Sequence, residues 1–574
     1  MRRPLAPAPS TPPSPHGETE VKPPLTSAAV VPGAPKPPEA PVLKPFADVV
    51  RGARESRGFF GVWQQDDGRI WLEVGPDQLE KPFFFSISLA SGLGERYFLP
   101  GLMGQEHVVV LRRFGNQLQL VAKNMRVRAP AGTPLARAVS ESYSDSLLAA
   151  APVMSAPHPE RKTFLVDAAV LLGGDIAGAQ TALDSAYRMG YALDRANGSI
   201  ERTRTGDFGT FITYRSHFAV ARMPAPPAQA LTGPNPPSTI PDPRSLFLTF
   251  TYNLVPLPAE PMRPRPADQR LGHFTTAFRD FGAMNADDRR THYVERWRLE
   301  KKDPAAAVSE PKEPILVWLD RNIPEKYRDA VRAGVLEWNK AFERAGFKDA
   351  IVVRQQPDDA DWTTVEGTRH LAVRWFAMEG PGAMAVGPSQ SDPRTGELLR
   401  GAAIIPENWV RVSRAALAET LPGPSAAAAA PAASRPASLA AMLDGRECSY
   451  AQEALEQVAF GLELLAARGQ LDADGAAAER FIAESLKDVV MHEVGHALGL
   501  RHNFKASAGV NLDKLRDAAW VRENGVSNSV MDYVALNIPL ADEPATVYTQ
   551  STLGAYDYWA IEYAYREVSP EREK

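Results

Sequence analysis

Residues 491–504 read MHEVGHALGLRHNF, and the pattern HExxHxxGxxH within them decides how the rest of the chain is read. His492 and His496 are four apart, so on a helix they stand one turn above the other, on one face and close enough to share a metal ion. Glu493 follows the first of them and projects beside that metal, where a carboxylate acts as base toward attacking water. His502 comes six residues after His496, and a continued helix would carry it roughly 9 Å further along and onto another face. The helix therefore has to end. Gly499 is the residue that ends it, because glycine alone takes left-handed backbone freely and lets the chain return with a third imidazole. Upstream, FIAESLKDVV (481–490) sets Phe481, Leu486, Val489 and Val490 to anchor the helix in a core. Three imidazoles leave the fourth position of a tetrahedral zinc open, which distinguishes a catalytic from a structural site. One catalytic Zn2+ is thus the expected cofactor, held by His492, His496 and His502, with Glu493 as the base.

Downstream, SVMDY (529–533) resembles the Met-turn that lies beneath the metal in metzincin proteases. The resemblance implies that Met531 forms an apolar floor under the imidazoles without ligating. Tyr533 matches the position where astacins and serralysins carry a tyrosine that approaches the zinc, and its hydroxyl would donate to the oxyanion of a tetrahedral intermediate. Residues 314–566 also run in metzincin order. PILVWLD (314–320) reads as a buried strand, 324–346 as a long amphipathic helix between Pro and Gly, and AIVVRQQ (350–356) and HLAVRWFA (370–377) as further strands. GELLRGAAIIP (396–406) is expected as the edge strand above the zinc, with Leu398, Leu399, Gly401, Ala402, Ala403 and Ile404 holding an extended substrate. STLGAYDYWAIEYAYR (551–566) resembles the last metzincin helix.

Together with VERWRLEKKDP (294–304), SYAQEALEQVAFGLELLAARG (449–469), SLASGLGERYFLPG (88–101) and FGNQLQLVAKNMRVRA (114–129), these segments are similar to large exported bacterial zinc-dependent metalloproteases with a met-zincin catalytic domain. The similarity runs from about residue 46 to about residue 566. It implies a zinc-dependent metalloendopeptidase acting on peptide or protein substrates. It also implies a further C-terminal domain beyond the last helix, and it marks LPGPSAAAAAPAASRPAS (421–438) as an insertion. Two other readings stay open: a binding or scaffold protein with a relic zinc site, and a zinc hydrolase of non-peptide amides.

The fold class expected is α+β, an antiparallel β-rich N-terminal region followed by a metzincin-type domain with a mixed twisted sheet, active-site helix, Met-turn and C-terminal helix. Residues 1–45 are Pro- and Ala-rich and read as a disordered tether, 46–260 as the β-rich domain, 261–313 as a connecting segment and 314–574 as the catalytic domain. Within 46–260, strands are expected at 68–74, 83–90, 107–113, 117–124, 164–171, 211–223 and 246–255. His107, His158 and His217 are dispersed there and read as surface or satisfied histidines. A net charge of −5 and a pI near 6.1 give no electrostatic case for nucleic acid or anionic membrane. No run of eighteen apolar residues spans a bilayer. The start lacks an apolar signal region, so an exported protein whose signal is absent from this chain is expected, with a cytoplasmic one as the alternative. Cys448 is the single cysteine. It forms no intramolecular disulfide and reads as an ordinary buried or partly buried thiol, not as the zinc-blocking cysteine of some metzincin propeptides. The sequence sets no oligomeric state.

Overall fold

The computed structural model describes residues 43–574 except 97, 224–233, 283–287, 379–384, 408, 411–447, 449, 471–474, 544–545, 570 and 573–574. The expected tether up to residue 42 and the expected insertion at 421–438 lie outside the described residues.

The N-terminal half is built on a seven-stranded antiparallel sheet. Its strands are β1 (Phe83–Ser91), β2 (Met103–Phe114), β3 (Gln117–Ala122), β4 (Ser146–Pro152), β5 (Ala192–Gly206), β6 (Gly209–Ala219) and β7 (Ser245–Pro256). They lie in the order β5-β6-β7-β1-β2-β3-β4. β1 is central and buried on both faces, which is why FFFSISLAS reads as a nearly unbroken apolar run. β5 carries no such signal. ALDRANGSIERTRTG is an outer strand with no fully buried residue, so its register comes from pairing with β6 and not from an apolar face. A second, four-stranded antiparallel sheet joins residues 54–56, 61–64, 70–74 and 164–167. The strand expected over 164–171 stops at Asp167. Its carboxylate accepts from the Ala169 and Val170 amides and starts a short helix, Ala168–Leu172, an N-cap signal that outweighs the apolar run.

The C-terminal half surrounds a five-stranded sheet of β8 (Ile315–Leu319), β9 (Ile351–Gln355), β10 (His370–Phe376), β11 (Ser389–Asp392) and β12 (Glu397–Pro406). The order is β9-β8-β10-β12-β11, with β11 antiparallel and the others parallel. The helix expected over 324–346 is two helices, α1 (Glu325–Leu336) and α2 (Asn339–Ala345). At the break, fully buried Trp338 donates its indole N–H to the Met491 carbonyl, 3.0 Å away. α3 (Tyr450–Ala467), α4 (Ala476–Ala497) and α5 (Ala555–Tyr565) follow. α4 carries the HExxH residues, and the four expected anchors, Phe481, Leu486, Val489 and Val490, are all buried in the C-terminal core. Among the described residues no helix is long and apolar enough to cross a membrane.

Residues 396–406 do form a strand, but not an edge. β12 pairs with β10 over 400–406 and with β11 over 397–401, and further along Val386 and Ile404 exchange backbone hydrogen bonds. The backbone of Leu398, Leu399, Gly401, Ala402, Ala403 and Ile404 therefore lies inside the sheet and is not open to an added strand. Every residue of β12 is buried, the property of an interior strand that its mostly apolar sequence encodes, with Glu397 and Arg400 the charged exceptions. The edge is β11, whose four polar residues, SQSD, carry no strand signal. The N-terminal sheet lies against it. Gln390 donates to the carbonyls of Ile87 and Gly104 at 3.1 and 3.0 Å, and the Ser391 amide donates to the Glu106 carboxylate at 3.3 Å.

Candidate metal centre

α4 ends where the third imidazole requires it to end. Gly499 has φ +103, its amide donates to the His496 carbonyl at 2.9 Å, and the Leu500 amide donates to the Gly495 carbonyl at 3.0 Å. These are the two bonds of a left-handed glycine cap. A side chain at Gly499 is excluded twice, by φ and by the Glu295 carbonyl, which a Cβ would meet at 2.2 Å. The remaining helix-end carbonyls are bonded by aromatic side chains: Trp297 Nε1 donates to Ala497 at 2.9 Å and the Tyr565 hydroxyl to Leu498 at 2.9 Å. The segment 261–313, expected only to connect, thus supplies part of the frame of the centre.

The turn brings three imidazoles together. His496 Nε2 and His502 Nε2 are 3.0 Å apart. His492 Nδ1 faces the Val530 carbonyl at 2.6 Å, and His496 Nδ1 faces the Leu500 carbonyl at 2.8 Å. A carbonyl only accepts, so each Nδ1 carries the proton and each Nε2 presents a lone pair to the centre, the tautomer a metal ligand needs. Burial, followed by the neighbouring imidazoles, pushes the pKa of His492 well below its ordinary value. Burial, with a smaller push from Arg501, brings His502 down to about 4. Both are therefore neutral at pH 7, as ligation requires. This donor set fits a divalent ion of the zinc type.

Glu493 projects into the same cage and is fully buried. Among the described residues neither of its oxygens has a hydrogen-bond partner. Burial pushes its pKa up to about 8, and the nearby Cys448 thiol only partly offsets this.

The Met-turn lies under the imidazoles. A Cβ at Gly495 would meet Met531 Sδ at 2.3 Å, so the absence of a side chain there is what lets Met531 approach α4. The turn is tied on three sides. The Asn503 amide donates to the Met531 carbonyl at 2.8 Å, Asp532 accepts from the Ser507 amide at 2.7 Å, and Asp557 of α5 accepts from Ser529 Oγ and the Val530 amide at 2.6 and 2.8 Å. The Tyr533 hydroxyl is 3.1 Å from His502 Nε2. Gly387, just before β11, crosses α4 so closely that a Cβ would meet the Glu493 carbonyl at 2.4 Å and His496 Cβ at 2.5 Å. Asp557 and Gly387 have no motif that would single them out in the sequence.

Cys448 is buried, as expected, but it is not an ordinary thiol. Its Sγ is 3.3 Å from His492 Nε2 and 3.4 Å from the Tyr533 hydroxyl. Donor atoms of Cys448, His492, His496 and His502 all lie within 4.8 Å of one another, and among the described residues this is the one such cluster. The sequence hides this because 44 positions separate Cys448 from His492 and no spacing rule covers that interval. His107, His158 and His217 take no part in it.

Residues 475–574 match the family model described as Met-zincin, and residues 101–302 match one described as Domain of unknown function (DUF5117). No curated protein and no solved structure matches the chain. The C-terminal end of the chain is therefore a Met-zincin segment, that of a zinc metallopeptidase in general, and it contains all three converging histidines.

Proposed function

We propose that the chain is an exported zinc-dependent metalloendopeptidase in which His492, His496 and His502 hold one zinc ion and Glu493 is the general base. The observation that carries this reading is Glu493, a buried carboxylate without a hydrogen-bond partner, on the helix that presents two of the three imidazole lone pairs. A buried acid that only served the fold would be bonded. When bound, the zinc supplies Lewis-acid polarisation of the scissile carbonyl and lowers the pKa of water at its open position. Glu493 takes the proton of the attacking water and passes it to the leaving amine, a task suited to an acid whose pKa lies near the working pH. Tyr533 donates its phenolic proton to the oxyanion, and Met531 holds the imidazoles from below. The substrate does not add to β12, whose backbone is already bonded on both sides. A groove of about 700 Å³, with Pro388, Ser389 and Ser391 on one wall and Gly104, Gln105 and Glu106 on the other, offers the room. The resemblance to exported bacterial metalloproteases supports export.

The test is the Glu493→Gln variant, assayed for metal content and for cleavage of a peptide library. Metal content should match the parent, and cleavage should fall by about 10²-fold or more, as expected for a lost general base. Parent-like turnover would sink the mechanism.

A further inference from the structure

The hydrolytic reading leaves Cys448 unused, yet three contacts position its sulfur, and two more fix Tyr450 beside it. The Tyr450 amide donates to Sγ at 3.4 Å, and the Tyr450 ring stacks on His492 with centroids 4.3 Å apart. The Tyr450 hydroxyl donates to Asp488 of α4 at 3.1 Å, which ties the start of α3 to the active-site helix. The Tyr533 hydroxyl donates to Sγ from the other side at 3.4 Å. Sγ itself faces the lone pair of His492 Nε2 at 3.3 Å. A tetrahedral zinc with bonds of roughly 2.0–2.3 Å sets its donors about 3.3–3.6 Å apart. The separations of 3.3 Å from sulfur to His492 and 3.0 Å between His496 and His502 are close to that spacing, and all four donors lie within 4.8 Å of one another, so a small inward shift completes a four-donor shell. An independent observation points to a cation in the same cage. The Glu493 carboxylate is buried beside the thiol with no other hydrogen-bond partner among the described residues, and two acidic groups share a buried space most readily around a positive charge.

We propose that Cys448 is a fourth, sulfur ligand of the metal held by His492, His496 and His502, and that it closes, in this fold, the position that the attacking water needs. On ligation the thiol releases its proton to solvent and a sulfur–metal bond forms, with no electrons transferred. Four protein ligands make a closed site and three leave an open one. The chain as folded is thus latent, and hydrolysis requires Cys448 to withdraw. This inference rests on the metal reading given above, and the test separates the two.

The full chain is loaded with Co2+, whose thiolate bonds give a charge-transfer band in the near ultraviolet, and with Zn2+ for X-ray absorption at the zinc edge. The parent should show the band and one sulfur neighbour. Cys448→Ala should lose both, keep the visible cobalt bands, and cleave a peptide library about tenfold faster or more. Bound metal without sulfur in the parent overturns the inference and leaves the three-histidine reading intact. A sulfur ligand whose removal brings no gain in cleavage overturns the closed state. A chain that binds neither ion overturns both. If Cys448→Ala fails to fold, Cys448→Ser takes its place, and the two spectra of the parent still decide the ligand set.

Discussion

Two buried glutamates, one in each half of the molecule, show how structure and chemistry divide the chain. Glu73, in the four-stranded N-terminal sheet, accepts from the Trp63 indole at 2.7 Å, from Arg161 at 2.9 and 3.2 Å and from the Thr163 hydroxyl. Burial alone would push its pKa up, but those bonds outweigh burial and hold it below the ordinary value. Glu493 is buried more deeply and has no such bonds, so burial wins and its pKa rises to about 8. A carboxylate that braces the fold is satisfied by the fold. One kept without partners has been held for something outside the chain.

The largest effect expected from this contrast is the loss of about 10²-fold or more in cleavage on Glu493→Gln, and the same substitution should not weaken the fold. Because the folded pKa of Glu493 is raised, its favourable contribution is complete below the unfolded value near 4.5 and is lost as pH rises toward 8. The metal-free variant should therefore be the more stable chain at pH 8, by about 2–4 kcal/mol, with the gap closing toward pH 4.5. Urea unfolding of the metal-free chains at both pH values measures it, and a destabilised variant at pH 8 would contradict the contrast.

Glu73→Gln should behave in the opposite way. It leaves Arg161 without its main buried partner and should cost about 2–3 kcal/mol at pH 7 with cleavage unchanged. The folded pKa of Glu73 is lowered, so its contribution is present above the unfolded value and fades as pH falls through the folded one. The difference between parent and variant should therefore shrink in acid. A variant as stable as the parent at pH 7 would show that Glu73 does not brace the sheet.

How much was legible in the sequence follows the same division. The HExxHxxGxxH spacing is local geometry: one helical turn plus one left-handed glycine bring His492, His496 and His502 together. The apolar runs of β1, β10 and β12 are legible because each is buried on both faces, and that of β8 because its alternate residues are buried, although the same runs cannot say which of them lies at an edge. β11 was not legible, since SQSD owes its strand conformation to β12 on one side and to Gln390 and Ser391 contacts with the N-terminal sheet on the other. Nor was Cys448, whose place depends on Tyr450 reaching Asp488 across the chain.

A smaller effect is expected from His273, which joins the segment 261–313 to the third-histidine loop through a β-bridge to Leu500. Burial brings its pKa down to about 4, and its Nε2 faces the Ala560 carbonyl at 3.2 Å. It stays neutral in the folded chain, while in the unfolded chain it takes a proton below about 6.5. Stability is therefore lost as pH falls from about 6.5 toward 4, at up to about 1.4 kcal/mol per pH unit. His273→Gln should lower stability by about 1–2 kcal/mol at pH 7 and flatten that slope. An unchanged slope in urea unfolding between pH 7 and pH 5 would remove His273 from the acid response.

The smallest effect concerns LPGPSAAAAAPAASRPAS, which precedes Cys448 in the chain. Prolines and small side chains give a substrate little to hold. The groups that position the Cys448 sulfur come from elsewhere: Tyr450 with its anchor on Asp488, His492 and Tyr533. Replacing residues 424–436 with a short Gly/Ser linker should accordingly leave peptide cleavage within about threefold, below roughly 1 kcal/mol in barrier. The direction of any larger change is informative. A rise in cleavage at unchanged metal content would mean that this stretch helps keep Cys448 in the cage, and a fall would make it part of the substrate cleft beside β11.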